Sequence, residues 1–169
     1  MPTHYDGTER QKRALNAYIT LERAADTVAT MLAARLDAQG LTISQFGTLE
    51  ALYHLGPLCQ HELARKLLKS GGNMTLVINN LVKHGWVRRE RQSNDRRVVR
   101  VHLTSKGRRR IEGILPEHVD AIVATMSNLT AQDQDDLRRI CRKFANDGMK
   151  NPRFKNARKE NTNDSNPTK

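Results

Sequence analysis

The chain changes its hydrophobic period once, and that change limits the fold more than any other feature. Apolar residues recur at threes and fours as far as Gly85, which is the spacing of amphipathic helices. In "WVRRERQSNDRRVVRVHL" the period drops to two. Val99, Val101 and Leu103 alternate with Arg100 and His102, so one face is expected to be buried and the other wet. The "QSND" between the two halves consists of residue types that turns favour. Helical spacing resumes after Thr104, which looks like a cap. The expected fold is mainly α with a small β-hairpin.

The helical parts have readable ends. Residues from about 10 to 38 carry Leu15, Tyr18, Ala25, Val28, Leu32 and Leu36 on one face, and Gly40 stops the run. Thr42 followed by Gln45 has capping-box spacing, and Gly56-Pro57 closes the helix that starts there. "CQHELARKLL" reads as a short helix with Leu63, Leu67 and Leu68 inward, and "KSGG" as a turn. "NMTLVINNLVKH" is the next helix, ended by Gly85. After Thr104 a helix runs to about Ser127, with Ile111, Leu115, Ile122 and Met126 on its apolar side; Pro116 should kink or interrupt it. A last helix begins at the Thr130 cap and carries Leu137, Ile140, Cys141 and Phe144. Residues 1–9 and the polar residues 150–169 are expected to be disordered.

Charge is concentrated where the period changes. The formal net charge is +11, and the segment from Lys83 to Arg110 holds eleven basic residues against Glu90 and Asp95, a net +9. The remainder is almost neutral. A focused charge of this kind favours a polyanionic partner, nucleic acid or an anionic membrane surface. The start "MPTHYDGTERQKR" is polar throughout and no apolar run reaches the roughly 20 residues of a membrane span, so no membrane partner is expected. Two cysteines, Cys59 and Cys141, make no disulfide framework; a cytoplasmic protein with reduced thiols is expected.

Helix, short helix, turn, helix and hairpin follow one another as in a helix-turn-helix with a wing. In that geometry the second helix enters the major groove of double-stranded DNA. On "GNMTLVINNLVKH", Met74, Val77, Ile78 and Leu81 share one side. The opposite side holds Gly72, Leu76, Asn79 and Lys83, flanked by Asn73, Thr75 and Asn80. That face is polar or small and carries no acid. Asparagine can pair bidentately with adenine, and Thr or Leu methyl groups can touch the thymine methyl. The same pattern also suits an ordinary solvated face. At the hairpin tip stand Asp95, Arg96 and Arg97. Arginine there suits a narrow, electronegative minor groove, and Asp95 could hold the Arg97 guanidinium by a charge-assisted hydrogen bond. A routine surface ion pair is the plainer alternative.

The motifs "LT..QF", "GPL.Q.EL", "GG..T", "LV..GWV.R" and "D.R...V.LT..G" occur in this order between residues 41 and 107. In this the chain resembles the MarR family of bacterial transcription regulators. The resemblance implies a winged helix-turn-helix over about residues 41–104, within a single domain of residues 10–149. Dimerisation helices would span about 10–38 and 105–147. It implies a homodimer on a pseudo-palindromic operator, usually a repressor, with Asp95 bracing Arg97. It also implies release from DNA by a small aromatic or phenolic ligand bound between the dimer helices and the winged domain. Tyr18, Phe46 and Trp86 are candidates to line such a pocket, although the plainer reading of each is a core residue.

Other signals lead nowhere firm. "HELAR" begins like a zinc-protease helix, but Arg65 stands where the second histidine belongs. No histidine pair has ligand spacing, so no metal is expected. Cys59 opens a short helix whose dipole could lower its pKa, whereas Cys141 sits on an apolar stripe and looks structural. No nucleophile elbow, phosphate loop or carboxylate pair suggests an enzyme or a cofactor. A winged-helix protein-interaction module would not need the concentrated charge. A non-specific architectural DNA binder would, and would differ in leaving no discrete footprint.

Overall fold

The computed structural model describes residues 3–91 and 98–148, with side chains described as far as Phe144. The chain forms two compact units that divide between Thr125 and Met126. The first contains α1 (Glu9–Ala38), α2 (Ile43–Leu55), β1 (Leu58–Cys59), α3 (Gln60–Lys66), α4 (Gly71–Lys83), β2 (Val87–Arg91) and β3 (Val99–Leu103). It also contains α5 (Ser105–Met126) up to the boundary; the second unit carries α6 (Ala131–Gly148).

Local chemistry fixes the helix starts. At α1, Gln11 N–H donates to Thr8 Oγ1 and Thr8 N–H donates back to Gln11 Oε1. Thr42 and Gln45 do the same at α2. Thr3 N–H donates to Asn16 Oδ1 at 2.6 Å, so the described part of the N-terminal start lies back on α1. At α4 the cap is Ser70, whose Oγ accepts from Asn73 N–H at 3.3 Å. Gly71 and Gly72 therefore belong to the first helical turn and not to the turn "KSGG" expected from sequence.

Three helices of the first unit end in the same backbone motif, in which the sixth residue donates back to the first carbonyl of the last turn. Leu41 N–H bonds Leu36 O at 3.0 Å, Lys69 N–H bonds Ala64 O at 2.9 Å, and Trp86 N–H bonds Leu81 O at 3.0 Å. Each needs a left-handed residue just past the helix. Gly40 and Gly85 supply it twice, at φ 69° and 71°; at α3 the residue is Leu68, at φ 52°. Sequence spacing placed Leu68 inward. It lies beyond the helix end instead, and is 80% exposed.

The sheet has three antiparallel strands in the order β1-β3-β2. Val87 pairs with Leu103 and Arg91 with Val99 on one edge of β3; Leu58 pairs with Val101 on the other. The third strand was not expected, and it corrects the wet face predicted for Arg100: the guanidinium donates to Pro57 O at 3.2 Å and the residue is half-buried. The core collects Leu36, Phe46, Leu49, Leu63, Met74, Ile78, Leu81, Trp86, Val101, Ile111 and Ile114 from every helix of the first unit and from the sheet. A fully buried aliphatic side chain of this kind contributes about 2 kcal/mol.

α5 runs through Pro116 without interruption. Proline removes the hydrogen bond to the carbonyl four residues earlier, that of Glu112. Both residues are exposed, so water can take the bond's place. The buried side of α5 is Ile111, Ile114 and Ala121; Ile122, expected inward, is exposed beside Val119 and Val123.

Thr104 joins sheet to helix. Its Oγ1 accepts from Gly107 N–H at 3.0 Å, capping α5, and lies 3.1 Å from Trp86 O, which also accepts Thr104 N–H at 3.0 Å. A Cβ on Gly107 would stand 2.0 Å from Trp86 O. Gly107→Ala is therefore expected to lower unfolding stability by about 2 kcal/mol or more in a denaturant titration, the range for overpacking. Leu68→Gly should raise stability by up to about 1 kcal/mol in the same assay, because it relieves left-handed strain and loses no burial.

Candidate nucleic-acid interface

α2, α3 and α4 with the antiparallel strands behind them form a winged helix-turn-helix module, in which α4 holds the position of the reading helix. Its inner side is Met74, Ile78 and Leu81, all fully buried, with Val77 packed against them. Gly72, Asn73, Leu76, Asn79, Asn80 and Lys83 are exposed, and Thr75 is half-buried. Leu76 is 68% exposed at the centre of that face. A Cβ on Gly72 would meet nothing within 4 Å, so packing inside the chain does not demand glycine there.

Several of these side chains are held by residues the sequence reading did not single out for this face. Gln60, the first residue of α3, donates from Nε2 to Thr75 Oγ1 at 2.6 Å, and Thr75 Oγ1 donates to Gly71 O at 3.0 Å. Arg89 on β2 donates from Nη2 to Asn79 Oδ1 at 2.6 Å. Gln45 donates from Nε2 to Asn80 Oδ1 at 2.6 Å. Gln45 was legible as a helix cap, but its second bond depends on the packing of α2 against α4. Gln60 and Arg89 carried no local signal for these contacts.

The surroundings are strongly basic. Arg65, Lys66 and Lys69 lie at the turn before α4; Lys83 ends it; Arg88, Arg89 and Arg91 are exposed on β2. Glu90 is the acid on the two described strands. Arg88 Nη1 hydrogen-bonds its carboxylate, and His102 Nε2 lies 3.7 Å away. The Arg88 hydrogen bond and charge hold the Glu90 carboxyl below its ordinary pKa, so it stays ionised and paired. Asp95, Arg96 and Arg97 lie outside the described residues.

The three candidate pocket residues differ in burial. Phe46 and Trp86 are core residues, 4% and 9% exposed. Tyr18 is 54% exposed on α1, which corrects its reading as core. A hydrogen bond with Glu22 raises its pKa. Phe46 packs on His118 with ring centres 4.1 Å apart. The cavity beside that pair, lined by Arg35, Leu36, Gln39, Ile114, Glu117 and His118, is about 10 Å³, room for one water. Cys59 is buried, and its N–H donates to Glu62 Oε2 at 2.7 Å. The "HELAR" glutamate is thus a helix cap. Among the described residues no cluster of His, Cys, Asp or Glu could hold a metal, and no helix is long and apolar enough to cross a membrane.

Comparison with known proteins gives the class a family. The MarR family model matches residues 41–99, the stretch from just before α2 into β3. The HTH-type transcriptional regulator YkoM of Bacillus subtilis, itself uncharacterised, is 34% identical over 129 residues, covering 76% of this chain and 84% of YkoM. The transcriptional repressor MprA of Escherichia coli is 34% identical over 83 residues, 49% of this chain and 47% of MprA. Sco3205, a MarR family transcriptional regulator from Streptomyces coelicolor solved in complex with DNA, superposes with a TM-score of 0.74 at 25% identity, covering 84% of this chain and 90% of that one. The chain belongs to the MarR family of winged-helix transcriptional regulators.

One titrating group sits inside the module. Burial lowers the His118 pKa from 6.5, partly opposed by the charge of Glu50, and its buried Nδ1 has no hydrogen-bond partner. The folded state therefore takes up the proton later than the unfolded chain, and stability must fall as pH drops below 6.5. The melting temperature is expected to decline between about pH 7.5 and about pH 5.5, and His118→Phe should flatten that slope.

Proposed function

We propose that the chain is a sequence-specific regulator, acting as a repressor, that binds double-stranded DNA as a homodimer at a pseudo-palindromic operator. The observation that carries the reading is the exposed face of α4. It has no acid and a Leu76 aimed outward at its centre, and basic residues border it at both ends and on β2. A solvated helix face with no partner gains nothing from an outward leucine among guanidinium groups. A major groove offers both phosphates and thymine methyls to such a face. Family membership, a relative named a repressor and a similar structure solved with DNA support the same reading.

Support for the homodimer comes from apolar stripes that this chain leaves uncovered. α1 exposes Tyr18, Leu21 and Met31; α5 exposes Val119, Ile122 and Val123; α6 exposes Leu137, Ile140 and Phe144. A two-fold partner would bury stripes of this kind and set two copies of α4 about one helical turn of DNA apart. Release by a small aromatic or phenolic ligand, and residence in the cytoplasm, belong to the same proposal. A pocket for the ligand would be completed in the dimer, since Tyr18 is exposed on α1 whereas Phe46 and Trp86 are buried in the core.

The test is a gel shift on the promoter DNA next to the chain's own gene, with competitor, at two salt concentrations. A discrete complex that survives competitor is expected; smearing that vanishes with salt would leave only counterion-driven affinity. Arg97→Ala should weaken the specific complex by about 1–3 kcal/mol. Asp95→Ala should weaken it too, although it removes a negative charge. Tighter binding by Asp95→Ala would show net charge, not bracing of Arg97, to be in control.

A further inference from the structure

The asparagines of α4 are not free to choose which end of the amide they present. The backbone N–H of Thr42 can only donate, and it does so to Gln45 Oε1 at 2.9 Å. That fixes the glutamine amide with its NH2 group on the other side, 2.6 Å from Asn80 Oδ1. Two NH2 groups cannot hydrogen-bond each other, so Asn80 must turn its carbonyl toward Gln45. Asn79 is constrained independently. A guanidinium has donors alone, and Arg89 Nη2 lies 2.6 Å from Asn79 Oδ1. Both asparagines thus turn their carbonyls toward the protein and, among the described residues, leave their NH2 groups unspent. They flank the line of Gly72, Leu76 and Lys83 on opposite sides of the exposed face, at about 100° to each other.

We infer that Asn79 and Asn80 meet DNA with their NH2 groups, as hydrogen-bond donors set in that sense by Arg89 and Gln45, and so select guanine or thymine over adenine or cytosine where they reach a base's exocyclic group. The inference rests on the reading of α4 as a DNA-reading helix. Bidentate pairing with adenine needs an amide that donates to N7 and accepts from N6, and each carbonyl here already spends one lone pair on a donor of its own chain 2.6 Å away, which sets the direction the amide faces. At the exocyclic position guanine O6 and thymine O4 accept, whereas adenine N6 and cytosine N4 donate; N7, common to guanine and adenine, does not discriminate between them. Lys83, at the end of the same face, is a pure donor. Asn73, one turn earlier, has no such restraint among the described residues and keeps both functions. Gln45 is on this view a positioning residue: it touches no base, and it sets the polarity of the group that does.

The polarity can be reversed with one substitution. Gln45→Glu still accepts from Thr42 N–H and keeps the capping box, but it offers Asn80 a second acceptor. Asn80 must then rotate to donate inward, leaving its carbonyl for the DNA. The experiment is selection of bound duplexes from a randomised pool by the full-length chain, wild type and variant, with circular dichroism to verify folding. The wild type should select guanine or thymine at one position of each half-site where the Gln45→Glu chain selects adenine or cytosine, by about tenfold, with the other positions unchanged. Asn80→Asp, which has an oxygen for both Gln45 and the DNA and leaves the α2 cap untouched, should select as Gln45→Glu does. Added negative charge alone would lower affinity at every position alike. Variants that bind more weakly but keep the wild-type base preference would overturn the inference while leaving the DNA reading intact. Failure of the wild-type chain to select any sequence would overturn the DNA reading, and this inference with it.

Discussion

The backbone of Trp86 is the point on which the winged module turns. Its N–H closes the end of α4 on Leu81 O, and its carbonyl accepts the N–H of Thr104, whose hydroxyl donates to Gly85 O at 2.8 Å and stands 3.1 Å from Trp86 O. Thr104 in turn caps α5 through Gly107, which approaches that carbonyl so closely that no side chain fits. One residue therefore fastens the reading helix, the first strand of the wing and the helix leading out of the module. A buried carbonyl left without such partners would cost about 1–3 kcal/mol, so the three elements cannot separate cheaply. α4, β2 and α5 are thus tied to one another at a single residue.

Acids near the basic surface are absorbed before they can oppose it. Glu62 accepts the Cys59 N–H, and that bond holds its carboxyl below the ordinary range. Glu90 is taken by Arg88 with His102 close by. Each carboxylate stabilises a local turn or strand pairing and is spent there. Lys83, Arg89 and Arg91 remain exposed around the face of α4, with Arg89 tied to a neutral asparagine rather than to an acid. The sign of the field over the interface follows from which residues pair with which, more than from the overall net charge.

Much of this was legible because it is local. The Thr42–Gln45 cap, the stops at Gly40 and Gly85 and the cap at Thr104 depend on residues three or four apart, and the structure has them all. The two sides of α4 follow from the helical period alone. What was misread depends on distant partners. A two-residue strand such as Leu58–Cys59 exists only because β3 offers it an edge, and two residues cannot show alternation. Leu68 looks like a core leucine until α3 ends two residues early, at Lys66, and the chain turns left-handed. Tyr18 sits on a stripe that implies burial, yet it is 54% exposed among the described residues. The amide senses of Asn79 and Asn80 are set by Arg89 and by the Thr42–Gln45 pair, so no window of sequence around α4 contains them.

Trp86 is the single tryptophan of the chain. Its indole is stacked on the imidazole of His84, ring centres 4.5 Å apart and planes within 14°, with the guanidinium of Arg110 5.5 Å from the ring centre. Both neighbours lie close enough to affect an excited indole, and they come from opposite sides of the joint: His84 from the end of α4, Arg110 from α5. The protein thus carries a native optical reporter with no competing emitter of its kind. Its brightness and colour register any shift of the α4 end against α5, so that occupancy of the reading helix could be followed in solution without a label.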